Sequence, residues 1–206
     1  MMFNTPEFAL LLIVTMILYY AVPRTRLMLL TIANILFYAV VGLRYLLLFA
    51  VVSGIVFICA RCMKRGSKRF FLWFGISVSL INLIFFKYTA FIFKSIERFF
   101  SFTLVSPDTG WLKLALPLGI SFYTFELIAY VVDVYKEKVE PETSILRFWM
   151  FIMFFGHMIA GPIMRGSEFL PQIKKLAIIR FQMGNMRMGV FLIGLGLVKR
   201  FLSQII

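Results

Sequence analysis

A chain of 206 residues that is 62% hydrophobic and 15% charged, with a mean hydropathy of +0.94, is excluded as a water-soluble globular domain and reads as a multi-span membrane protein. Its 25 Phe and 3 Trp exceed what one small aqueous core could bury, whereas lipid solvates them directly. The net charge of +13 suggests nucleic acid, but the 22 Lys and Arg lie mainly in short links between apolar runs, as topology determinants do, so no nucleic-acid partner is expected.

Uncharged runs occupy 8–22, 27–43, 45–60, 70–86, 114–125 extended by 127–132, 148–164 and 188–198. They predict an all-α, polytopic transmembrane helix bundle of about seven apolar segments, forming a single domain over 1–206. Several runs are shorter than the ~20 residues of an ideal crossing, which favours a compact bundle over independent anchors. The first run has no basic stretch before it and no small-x-small pattern after it, so it reads as a first span rather than a cleaved signal. A tight turn near Gly42 should fold the next two runs into a hairpin. Cys59 and Cys62 form a lone C-x-x-C with too few ligands for zinc and no βαβ setting for redox work, so no metal site is expected.

Basic residues set the orientation. Arg24 and Arg26, then Arg61, Lys64, Arg65, Lys68 and Arg69, flank a turn that holds Arg44 alone; the positive-inside bias places those two links in the cytoplasm and the N-terminus outside. The link at 94–113 then falls outside and 136–147 inside. Segment 165–187, with Arg165, Lys174, Lys175, Arg180 and Arg187, fits inside as well, so the run at 148–164 must enter and leave on one side or be a broken pair. Ala160-Gly161-Pro162 supplies a local cause, because proline removes a donor and clashes with the preceding turn. Backbone groups freed at membrane depth need protein or a wet cavity, which puts Gly161 and Pro162 on the wall of an internal funnel.

If 117–135 is one helix, Tyr123, Glu126, Tyr130 and Asp133 share a face roughly 80° wide, joined by Gly119 and Phe122. The other side, with Ile120, Leu127, Ile128 and Val131, suits lipid or neighbouring helices. Glu126 is either satisfied by tyrosine hydroxyls or a lysine and holds helices in register, or it lines a substrate path. Asp133, nearer the membrane edge, is either solvated or paired with Lys136, or it lines the same path. His157, the single histidine, is either a core imidazole or a candidate general base, with no nucleophile beside it. Arg165 is either a topology charge or an anchor for the phosphate of an acyl carrier or coenzyme arm.

Residues 116–125 (LPLGISFYTF), Tyr130 to Tyr135, Phe155 to Arg165 followed by Phe169-Leu170-Pro171-Gln172, and Gly194 to Arg200 together resemble the membrane-bound O-acyltransferase (MBOAT) family, in its bacterial alginate O-acetylation branch. The resemblance implies a multi-pass enzyme of the bacterial inner membrane. It would pass an acyl group from a cytoplasmic donor, an acyl-CoA or acyl carrier, to a hydroxyl of an extracytoplasmic polysaccharide such as alginate, with no bound cofactor. It further implies that the family's essential histidine lies beyond Ile206, so no catalytic residue is assigned here. His157 falls where the family pattern carries a polar residue, often Gln or His, before the Ala-Gly-Pro break.

On that footing the chain is expected to be the N-terminal part of such an enzyme, split or cut short, and inactive without a C-terminal half or partner subunit. Tyr123, Glu126, Tyr130, Asp133, His157, Gly161, Pro162 and Arg165 would line its funnel. The stripe from Tyr123 to Asp133 should then face lipid unless another chain covers it. Two other readings stay open: a non-catalytic membrane scaffold or assembly subunit, and a small proton-coupled transporter with Glu126 and Asp133 as its relay.

Overall fold

The computed structural model describes residues 5–40, 42–100, 117–158, 161–179 and 181–205, and every secondary-structure element among them is helical. Residues 101–113 of the link expected at 94–113, and Leu116, Ile159 and Ala160 of the sequence motifs, lie outside the described residues.

Helix α1, Pro6–Ala21, starts where the Thr5 hydroxyl accepts the N–H of Phe8 at 3.4 Å and Pro6 fills a position whose N–H would go unused. Pro23 ends that run, and through a 3-10 turn, Pro23–Thr25, the chain bends by 115° into α2, Arg26–Ala39. Gly42, at φ +150°, carries the expected turn into α3, Leu43–Cys62. Helix α4, Lys68–Phe100, has 33 residues, about 50 Å at ~1.5 Å per residue, and so overshoots the expected span at 70–86. Helix α5, Ile120–Tyr135, begins after Gly119, whose left-handed φ of +67° makes 117–119 a turn instead of the first turn of a helix. Helices α6, Ile145–Ile152, and α7, Phe155–Met158, are followed by α8, Gly166–Lys174, a 3-10 turn at Leu176–Ile178, and α9, Met183–Ile205.

Seven crossings are not found. Among the described residues two helices, Leu43–Cys62 and Lys68–Thr89, are long and apolar enough to span a membrane, or three spans exist if α1 and α2 count as one bent unit. The apolar runs are present, but interruptions cut several of them to 16 residues or fewer, below the ~20 a crossing needs. The run at 148–164 breaks earlier than Gly161: α6 ends at Ile152, and Met153 and Phe154 turn the chain without help from glycine or proline. A distant side chain takes over there. Asn34 Oδ1 accepts the Phe155 N–H at 3.1 Å, while Asn34 Nδ2 donates to Met150 Sδ at 3.2 Å.

The α2–α3 hairpin brings the chain back to the end of the bundle where Arg26 lies. At that end Lys68 and Glu137 form an ion pair, joining the link after α3 to the link after α5. The Arg26 guanidinium holds the carbonyls of Leu176 (2.8 Å) and Ile179 (2.5 Å), which draws in the segment after α8. The four basic links therefore gather at one end, and the stretch from α6 to α8 leaves and returns on that same side. Helix α5 forms the centre, packed on α3 and α4 to one side and on α6 and α8 to the other. Leu127, Tyr130, Phe148 and Phe151 are wholly buried around it.

Candidate functional site

Two glycines bring the re-entrant segment against α5. A Cβ on Gly119 would sit 2.9 Å from the Met158 carbonyl oxygen, and one on Gly161 would sit 2.4 Å from both Cα and Cβ of His157, so neither position admits a side chain without movement. Gly161 N–H also donates to the His157 carbonyl at 2.8 Å, closing the turn over the imidazole.

That close approach places His157 beside Glu126. His157 Nε2 lies 3.0 Å from Glu126 Oε1, although Nε2 meets no atom along a hydrogen-bond direction, so the two are in close contact without a straight N–H···O bond. The same Oε1 accepts the Met164 N–H at 3.2 Å, and one carboxylate oxygen thus touches both sides of the Gly161–Pro162 break. Both side chains are buried, Glu126 to within 1% of full coverage. Phe154 and Phe169 pack their rings on the imidazole at 5.5 and 5.7 Å, screening it from the large groove beyond them.

The rest of the predicted stripe is buried as well, each polar tip against a different neighbour. Tyr123 Oη accepts from Asn82 Nδ2 on α4 at 2.9 Å, and Tyr130 Oη accepts the Glu142 N–H at 2.8 Å. Asp133 is buried at the far end of α5 and makes no ion pair with Lys136. The expectation that this stripe faces lipid for want of another chain is therefore overturned: α4, the 136–144 link and the re-entrant segment cover it from within the chain. Pro162 and Arg165 are exposed and stand apart from the Glu126–His157 pair, with Arg165 capping α8 through its carbonyl. Among the described residues no three His, Cys, Asp or Glu side chains converge as a metal site would require.

Two asparagines escaped the sequence reading. Asn34 and Asn82 lie within apolar runs, which is the available signal, since an amide at membrane depth seeks a partner on another helix. At the loop before α6, Glu142 is buried and its carboxylate accepts from Arg147 Nε (3.0 Å) and Nη2 (2.7 Å) and from the N–H groups of Thr143 and Ser144. Burial pushes that carboxyl up, but the Arg147 guanidinium and the two backbone donors outweigh it and hold it below the usual value.

The Glu126–His157 contact fixes the geometry of the break. Neither member is in the lining of the large groove.

Comparison with known proteins gives no matching family model and no matching solved structure. Curated proteins do match. The chain is 34% identical over 134 residues to the protein named "Probable alginate O-acetylase AlgI" of Pseudomonas aeruginosa, covering 62% of this chain and 25% of that protein. It is 34% identical over 161 residues to the protein of the same name in Azotobacter vinelandii, covering 75% and 32%. It is 31% identical over 165 residues to "Peptidoglycan O-acetyltransferase" of Helicobacter pylori, covering 68% and 30%. The aligned stretches thus span between a quarter and a third of the length of these relatives. Over the stretch that it shares with them, the chain belongs to the membrane-bound O-acyltransferase family, with the alginate and peptidoglycan O-acetyltransferases as its relatives.

Proposed function

We propose that the chain is part of a membrane O-acetyltransferase that esterifies hydroxyls of a polysaccharide outside the bacterial inner membrane, with alginate the first candidate acceptor and peptidoglycan the second. The observation that carries this reading is its likeness, at 31–34% identity, to proteins bearing those two activities in their names. The buried Glu126–His157 pair fits a supporting role: it fastens the broken segment to α5 and so fixes one wall of the enzyme. Acetyl transfer to a hydroxyl needs a base to take the proton and donors to stabilise the oxyanion. His157 is poorly suited to be that base, because its Nε2 is turned to Glu126 and aromatic rings screen it. The aligned stretches cover only 25–32% of these relatives, which supports a reading in which the base comes from polypeptide outside these 206 residues, on a further segment or a partner subunit.

The test is acetyl transfer in membranes. Alginate ester content is measured with this chain expressed alone and together with the coding segment adjoining it, and the co-expression is repeated with His157→Gln. Ester should form only when both pieces are present, and His157→Gln should retain part of it. Transfer by the chain alone that His157→Gln abolishes would overturn the assignment of the base. No transfer to alginate or peptidoglycan by the pair would favour a non-catalytic scaffold.

A further inference from the structure

Arg26 carries more than a topology charge. It is 4% exposed, its Nε donates to the Tyr19 carbonyl at 2.9 Å, its Nη1 donates to the carbonyls of Leu176 and Ile179, and its guanidinium carbon lies 4.6 Å from the centre of the Tyr19 ring. Carbonyls and a ring face orient a cation but bring no net negative charge. No carboxylate of the described residues is within ion-pair distance of Arg26. Buried charges are ordinarily paired, and with Nε and Nη1 committed to carbonyls the two N–H groups of Nη2 are left to meet an anionic oxygen such as that of a phosphate. Arg24, Lys174 and Lys175 stand exposed at the same end, unpaired among the described residues.

A groove of about 830 Å³ runs past the three residues whose carbonyls hold this cation, although Arg26 itself is not in its lining. Tyr19, Leu176 and Ile179, which hold Arg26, also line the groove. From Tyr19 the groove follows α1 past Met16 and Leu12 to Phe8, eleven residues or about 17 Å at ~1.5 Å per residue. That length matches one leaflet, half of a hydrocarbon core of ~30 Å. At the far end Phe8 and Phe155 meet edge to face, 5.9 Å apart. Apart from Thr15, Gln172 and the two tyrosines, Tyr19 and Tyr20, its lining side chains are apolar.

We infer that this groove binds one anionic membrane phospholipid, with an acyl chain along α1 and the phosphate at Arg26, where Arg24 and Lys175 form the rim. The groove's shape fixes the acyl chain, and the charge at one end selects the headgroup. Basic clusters beside membrane-embedded helices attract anionic lipids with about 1 kcal/mol per Lys or Arg near the surface. The site is separate from the Glu126–His157 pair, behind Phe154 and Phe169, and does not depend on the acyl-transfer reading.

The experiment is native mass spectrometry of the full chain in mild detergent, titrated with phosphatidylglycerol or with phosphatidylcholine of the same acyl chains. The wild type should bind one phosphatidylglycerol, preferred about tenfold or more over phosphatidylcholine. Arg26→Gln should lose the preference, but it also loosens the corner that Arg26 ties. Two further variants therefore leave that corner intact. The double variant Arg24→Gln with Lys175→Gln changes exposed side chains only and should cut the preference to a few-fold. In Gly196→Phe, where an added Cβ meets open space, the ring fills the groove and should expel both lipids. Equal affinity of the wild type for the two lipids, or undiminished phosphatidylglycerol binding by Gly196→Phe, would overturn the inference.

Discussion

Glu126 illustrates how one buried oxygen organises a backbone that cannot be helical. Its Oε1 faces His157 on one side of the break and the Met164 N–H on the other, so losing it leaves the amide without its acceptor and the imidazole without its neighbour. Removing one member of a buried pair is expected to cost about 3 kcal/mol. Glu126→Ala should therefore lower stability by about that much in a denaturing-detergent titration, whereas Glu126→Gln, whose amide oxygen still accepts from Met164, should lose roughly half. An alanine variant as stable as the wild type would show that the pair is not a clamp. Both residues could be picked from the sequence as chemically unusual for their surroundings, but their pairing could not, since 31 positions separate them and no local period links a helix to a broken segment. Arg26 shows the opposite limit: its position in a basic link suggests solvent, and two of the three carbonyls that hold it in the interior lie about 150 residues away.

At the level of elements, the loop between α5 and α6 is tied by Glu142. Its carboxylate receives Arg147 and two backbone N–H groups, while its own N–H donates to Tyr130 Oη, so one residue joins the start of α6 to the face of α5. With its folded value held below the ordinary 4.5, the stabilisation is complete above pH 4.5 and is lost as pH falls through the lowered value. Protection of the Thr143 and Ser144 N–H groups, corrected for the intrinsic exchange rate at each pH, should be lost as pH falls through the lowered Glu142 value, and Glu142→Gln should lose it already at neutral pH. Protection in the wild type that persists unchanged to strongly acidic pH would contradict this. The turn at Gly42 and the interruption near Gly161 were legible because glycine and proline act through their own backbone. The earlier stop at Met153 was not, because its cause is Asn34 on another helix.

Across the whole molecule, the four basic links share one end, which the sequence reading reached through charge bias and the fold reaches through contacts. In a cysteine-free background, Lys64→Cys, Lys138→Cys and Lys174→Cys should all react with an impermeant thiol reagent from one side of the membrane, and Arg44→Cys from the other. Labelling of Lys64→Cys and Lys174→Cys from opposite sides would break the arrangement. What hydropathy could not reveal is how few of the runs are crossings, because an apolar run records burial without saying whether lipid or protein provides it. The re-entrant stretch has a consequence for biogenesis. Eight residues of α6 extend only about 12 Å, too short for the insertion machinery to commit them to the bilayer on their own. The segment has to wait at the membrane surface until α2, α3 and α5 are assembled to receive it, which makes its docking a late step of biosynthesis and the moment at which Glu126 first meets His157.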